Sequence, residues 1–148
     1  MRKRKRRAVA KPDNADGQTK KYGNKKVVYD GIKFDSEREG NRYLFLCEQQ
    51  RRGLITDLWV HPKYELIPKV GHIETEQLKT KTKQKIVVDQ LAITYTADFL
   101  YRKNGKLVVE DVKMSPYMIP EKFELKAKLL YWRYRIKIRL VFSETEPV

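Results

Sequence analysis

Residues 94–114 read TYTADFLYRKNGKLVVEDVKM, and the middle of this stretch is a reversal. Asn104-Gly105 is a strong two-residue hairpin signal, because both types tolerate the positive φ of a type I′ turn and apolar residues flank them on either side. A turn there pairs Lys103 with Lys106 and Arg102 with Leu107. Carried outward, the same register sets Asp98 opposite Asp111. Facing side chains across such a pair lie about 5 Å apart at Cβ, so two carboxylates there repel.

Side chains alternate along a strand, so Lys113 shares the face of Asp111 and Asp98. One patch thus presents two carboxylates and an amine. Two readings stay open. A divalent cation relieves the repulsion, since hard oxygen ligands suit Mg²⁺ or Mn²⁺. Otherwise the carboxylates are solvated at a sheet end, with Lys113 as a neutralising ion pair. Glu110 falls on the opposite face, an assignment tied to the two-residue turn because a slip of one residue exchanges the faces. Phe99, Tyr101, Val108 and Val112 share one face, and Leu100, Leu107 and Val109 the other. A sheet covered on both sides is expected.

Beyond the hairpin, Pro116 and Pro120 precede a helix at about 121–133 and a strand, IKIRLVF, at 136–142. Before it, residues 86–101 read as one long strand, and VGHIETEQLKTKTKQK (70–85) as a mobile hairpin tip or loop. ITDLWVHPKYELIPK (55–69) gives two short extended segments broken at Pro62. A helix over 36–52 is marked by Ser36 and Glu39 as a capping box and by Gly53 as a stop, with Tyr43, Leu44, Leu46 and Cys47 as its apolar stripe. KKVVYDGIKF (25–34) forms a short hairpin at Asp30-Gly31. This order implies an α/β fold, a sheet with helices packed on it. Residues 22–148 form one domain, and 1–21 a disordered basic arm.

Composition narrows the function. Thirty-three Lys+Arg against nineteen Asp+Glu give a formal charge of +14 over 148 residues. Such an excess points to a polyanionic partner. Residues 1–25 hold ten Lys/Arg and two Asp, so the arm reads either as a sequence-independent phosphate-binding segment or as a solubility or localisation tail. The single cysteine, Cys47, excludes an intrachain disulfide and a cysteine-rich zinc site. No apolar run reaches the roughly 20 residues that span a bilayer, and no apolar segment follows the basic N-terminus. A reducing cytoplasmic compartment is expected, with no membrane partner.

Ala97-Asp98 followed by Asp111-Val112-Lys113 resembles the signature of the PD-(D/E)XK nuclease superfamily. FDSEREGNRY (34–43), HPKYEL (61–66), YTADFLY (95–101) and VVEDVK (108–113) in that order are similar to small phage-type nucleases. The resemblance covers roughly residues 22–140. It implies a restriction-endonuclease-like core (αβββαβ), with a mixed central sheet flanked by helices. It also implies Mg²⁺-dependent hydrolysis of DNA phosphodiesters, for which Mn²⁺ substitutes, leaving a 5′-phosphate and a 3′-hydroxyl. Asp98 and Asp111, with the carbonyl of Val112, would hold the metal, and Lys113 would orient the attacking water. Glu39 occupies the place of a first-helix glutamate, as ligand or only as helix cap, with Glu37 the alternative. Two departures stand out: Ala97 replaces proline, and the triplet acid is Asp. Compact basic homodimers of this superfamily resolve Holliday junctions, so branched DNA in a phage-infected bacterial cytoplasm is the implied setting. A restriction-like, flap or single-strand nuclease is one alternative, and a non-enzymatic basic DNA-binding protein another.

Lys25, Lys26, Lys81, Lys83, Lys122 and Lys126 are candidate phosphate contacts. The KTKTKQK run (79–85) suits a DNA-contacting loop without sequence specificity. Arg133 and Arg135 are phosphate contacts or a solvated face. Tyr131, Trp132 and Tyr134 read as core, with base stacking as the alternative. His61 and His72 match no metal-ligand spacing and read as surface or loop residues.

Overall fold

The computed structural model describes residues 25–148. The N-terminal arm, with residues 22–24 of the expected domain, lies outside the described residues. The chain opens with a hairpin of β1 (Val27–Tyr29) and β2 (Ile32–Phe34). Its turn is Asp30-Gly31, both at positive φ (50° and 77°). Helix α1 (Glu37–Arg51) follows, capped as its sequence requires. The Ser36 hydroxyl oxygen accepts from the Glu39 N–H at 3.2 Å and donates to the Glu39 carboxylate at 3.1 Å. Gly53, at φ 74°, lets the chain leave the helix.

Four strands form the central sheet, in the order β10 (Ile138–Val141), β9 (Lys106–Val112), β8 (Phe99–Lys103) and β3 (Thr56–Val60). The first neighbours are parallel, the other two pairs antiparallel. Helix α2 (Glu121–Tyr134) supplies the crossover from β9 to β10, because a parallel neighbour cannot be reached by a tight turn. The β8–β9 hairpin has the expected register, Lys103 with Lys106 through Phe99 with Glu110, around Asn104 and Gly105 at φ 50° and 74°.

Both faces of this sheet are covered, and the side chains sort as alternation requires. On the α1 side Phe99, Tyr101 and Val112 pack with Phe34, Tyr43, Leu46 and Ile55. On the α2 side Val109 packs with Leu66, Tyr95, Ala97 and Leu130, and Leu100 borders them. Full burial of one such large apolar side chain contributes roughly 1.5–3 kcal/mol. Leu107 departs from the expectation. It is 47% exposed, because the turn end of the hairpin projects past both helices.

Other elements also depart from the sequence reading. The expected strand over 86–101 is three strands, β6 (Thr82–Gln90), β7 (Ile93–Thr96) and β8, interrupted at residues 91–92 and at Ala97-Asp98. The stretch 70–85, expected as a hairpin tip or loop, is the hairpin: mostly β5 (Val70–Gln77) and the start of β6, paired antiparallel into a long ribbon closed by residues 78–81. Strand β7 pairs instead with β4 (Lys63–Ile67). On α1 the buried face is Gly40, Arg42, Tyr43, Leu46 and Gln49, and Leu44 points outward at 44% exposure. Tyr131, Trp132 and Tyr134, expected in the core, are exposed: Trp132 is 70% exposed, while Tyr134, one turn after the buried Leu130, lies against Tyr64 and donates to the Glu65 carbonyl at the rim. Among the described residues no helix is long and apolar enough to cross a membrane.

Candidate functional site

The bend at Ala97-Asp98 is where three strands meet. The Ala97 N–H donates to the Pro62 carbonyl at 3.0 Å, the His61 N–H to the Asp98 carbonyl at 3.0 Å, and the Asp98 N–H to the Glu110 carbonyl at 3.1 Å. The backbone of Asp98 is thus fixed from both sides. Its carboxylate accepts the Val112 N–H at 2.6 Å. A bend in place of continuous strand turns this side chain across the end of β9. Val112 thus ties Asp98 to β9 through its amide.

Asp111, only 4% exposed, lies at the end of β9. One carboxylate oxygen accepts the Tyr95 hydroxyl at 2.6 Å, and the other is ion-paired with the Lys113 amine. Lys113 also lies over the Phe123 ring, 4.5 Å from its centroid, an arrangement that holds a cation against an apolar wall. Asp111 thus has a hydroxyl donor on one oxygen and an amine on the other. Asp98, by contrast, has only a neutral N–H donor.

The electrostatic consequence falls on Asp98. Its carboxyl is pushed up to about 8, first by burial, then by the charges of Asp111 and Glu39. The Val112 N–H and the Lys113 amine pull the other way and do not win. Glu39 is raised as well, mainly by burial, with the Ser36 and Asp35 hydrogen bonds and the His61 ring opposing. The Tyr95 hydroxyl is raised far above its ordinary range by burial and by the Asp111 charge.

Glu39 makes the bonds of the cap here. One oxygen accepts from Ser36 and the other from the Asp35 N–H at 3.2 Å. Its charge still reaches Asp98, so it shapes the site without pointing an oxygen freely into it. Glu110, excluded by the register, is on the α1 side. It is fully buried there and bonded by Arg42, Arg139 and Tyr101.

Beside Asp111 and Lys113 a cleft of about 440 Å³ is lined by Thr94, Tyr95, Thr96, Pro120, Lys122, Phe123 and Lys126. Lys122 and Lys126 are four residues apart on α2, hence on one helical face. Asp98, Asp111, Lys113, Lys122 and Lys126 therefore form one neighbourhood. Lys81 and Lys83 sit instead on the β5–β6 ribbon, and Lys26 pairs with Asp35 at 3.0 Å, both exposed. Lys25 opens the described chain beside it.

Sequence reasoning missed Tyr95, and His61, read as a surface or loop residue, is exposed at a bend. Tyr95 precedes Asp98 by three residues, and only the bend shows that its hydroxyl reaches Asp111. His61 lies at a strand corner at φ 54°, its ring 5.6 Å from Phe34, where its charge acts on Glu39. His72 is a surface residue of the ribbon, bonded to Asp89 at 2.9 Å.

A family model matches residues 19–145, described as "Protein of unknown function (DUF1064)". The chain belongs to the DUF1064 family. No curated protein and no solved structure matches it. In this DUF1064 chain the fit of a divalent cation rests on donor chemistry. Among the described residues no three His, Cys, Asp or Glu side chains gather closely enough to hold a metal as they stand. Two hard carboxylates, one of them poorly neutralised, suit an ion that takes the rest of its shell from water and phosphate, as Mg²⁺ does.

Proposed function

We propose that this DUF1064 chain is a metal-dependent DNA endonuclease of the PD-(D/E)XK type, acting on branched DNA as a Holliday junction resolvase. The observation that carries the reading is the Asp98 carboxylate, half-buried beside the buried Asp111 with too little positive charge around it. A purely structural pair would be better matched, since uncompensated buried charge is destabilising. The order α1, β3, β8, β9, α2, β10 supports a restriction-endonuclease-like core: helix, antiparallel meander, helix, parallel fourth strand, with β4–β7 inserted after the first strand.

Each side chain has a role in this reading. Lys122 and Lys126 hold backbone phosphates in the cleft. Lys113 faces the same cleft, where it orients the attacking water and offsets charge developing on the phosphorus-bound oxygens. Tyr95 and Phe123 wall the site off from solvent. When bound by Asp98 and Asp111, Mg²⁺ or Mn²⁺ supplies an acidified water and a clamp on a phosphate oxygen. Glu39 fixes the start of α1 against the site.

A second reading has its own observation. The ion pair of Lys113 with Asp111 neutralises that acid internally, as a non-enzymatic basic DNA-binding protein would need. One experiment separates them: four-way junction, flap, single-stranded and duplex DNA incubated with Mg²⁺. Wild type should cut the junction, and Asp98→Asn and Lys113→Ala should bind it without cutting. Cleavage that survives both substitutions ends the nuclease reading.

A further inference from the structure

The β5–β6 ribbon is used by nothing described so far. Its strands pair only with each other, and every residue from Val70 to Gln90 is exposed except Val87. At about 3.3 Å per residue, the eight residues of β5 carry the tip roughly 26 Å from its base. An isolated two-stranded ribbon is marginal in water, so one this long gains from a partner.

Its charges are sorted. The face of His72, Glu74 and Glu76 also carries Lys83 and Lys85 across the pair. There Lys85 meets Glu74 at 3.1 Å and His72 meets Asp89 at 2.9 Å, so the base is neutralised internally. The opposite face, with Ile73, Thr75, Gln84 and Ile86, has no charge at all. The acids of the ribbon are Glu74, Glu76 and Asp89, and Glu76 faces Lys83 one pair short of the end of the ladder. Residues 78–85 hold four lysines and no carboxylate, and Lys79, Lys81 and Lys83 form no ion pair among the described residues. The tip is a concentrated cation on a thin rod.

We propose that this ribbon is a second nucleic-acid contact, entering a groove of duplex DNA away from the carboxylate cleft and gripping its phosphates with Lys79, Lys81 and Lys83. A two-stranded ribbon fits a major groove about 12 Å wide. Its uncharged face presents nothing to repel the groove walls. A second copy of the chain would bring its own cationic tip to the same place, so charge complementarity favours the polyanion. The ribbon's far strand leads through residues 91–92 into β7, which carries Tyr95 and ends two residues before Asp98. A grip on the duplex is therefore indexed to the cleft, at a distance of up to about eight base pairs along the axis.

This inference rests on the proposed nucleic-acid partner but not on cleavage. The test is binding of the full chain to blunt duplex DNA without divalent metal, followed between about 50 and 200 mM salt. K79S/K81S/K83S should lower the log–log salt slope by about 2 to 3, while Asp98→Asn leaves the slope as in wild type. A variant with residues 71–89 replaced by a glycine turn should lose the same slope and still fold, since the ribbon packs on nothing else. An unchanged slope in both ribbon variants overturns the inference and leaves the cleft reading standing. A full chain that binds no blunt duplex overturns the inference, and one that binds no four-way junction either overturns the cleft reading as well. A ribbon deletion that turns a dimer into a monomer with its slope unchanged assigns the ribbon to a second copy and overturns the inference.

Discussion

The Tyr95 hydroxyl donates to a carboxylate oxygen of Asp111 at 2.6 Å, with both residues buried. This bond joins β7 to the end of β9 and holds Asp111 in place for Lys113 on its other oxygen. Tyr95→Phe keeps the ring, with its contacts to Tyr64 and Phe123, and removes only the donor. A buried carboxylate oxygen left without its donor costs about 1–3 kcal/mol. The urea midpoint should fall with an unchanged m-value, and an unaltered midpoint would show that Asp111 finds another partner.

Asp98 makes stability depend on pH in an unusual direction. Its carboxyl is raised from 3.8 to about 8 on folding. Between those values the unfolded chain has released a proton that the folded chain keeps. Stability therefore falls as pH rises through this window and levels off above it. Asp98→Asn removes this contribution, so its advantage over wild type should grow from the acid end of the window to the alkaline end. Mg²⁺ should narrow the difference at the alkaline end by stabilising wild type alone. Urea midpoints on either side of the window, with and without Mg²⁺, check both statements.

What was legible in the sequence was local. Asn104-Gly105 fixes its hairpin by backbone preference, and that register alone separates Glu110 from Asp111. Ser36 and Glu39 mark a helix start three residues apart. The bend at Asp98 was not legible, because alternation runs through it unbroken and the bonds that hold it come from His61, Pro62 and Glu110. The length of the ribbon was hidden by its own polarity: strands that pack on no core need no apolar face, so 70–85 reads as a hairpin tip or loop. Arg42 was hidden for the opposite reason, since an arginine on a helix reads as solvent-facing.

Arg42 is fully buried and forks onto Glu110, with bonds of 3.1 and 2.9 Å. It also donates to the carbonyls of Glu144 and Glu146, tying the chain after β10 to α1. Arg42→Ala strips Glu110 of its main partner and those carbonyls of their donor. Breaking a buried pair from one side typically costs about 3–5 kcal/mol. The double variant R42M/E110Q should recover part of that loss, because it removes the orphaned charge too. Equal instability of single and double variants would assign the effect to the carbonyl bonds.

Gly40 sets how closely α1 approaches the first hairpin. A Cβ there would lie 2.5 Å from Val27 Cγ2 and 2.6 Å from the Tyr29 ring. Two effects compete in Gly40→Ala. Alanine favours a helix interior by up to about 1 kcal/mol, whereas forcing a methyl into a filled contact costs typically about 1–3 kcal/mol. The clash should win, because Val27 is a short branched side chain with no far end to swing away, and only the tyrosine ring can turn. Val27→Ala opens the space, so in that background Gly40→Ala should be neutral or stabilising. A double-mutant cycle measures the difference, and additive effects would mean that β1 and β2 shift freely on the helix.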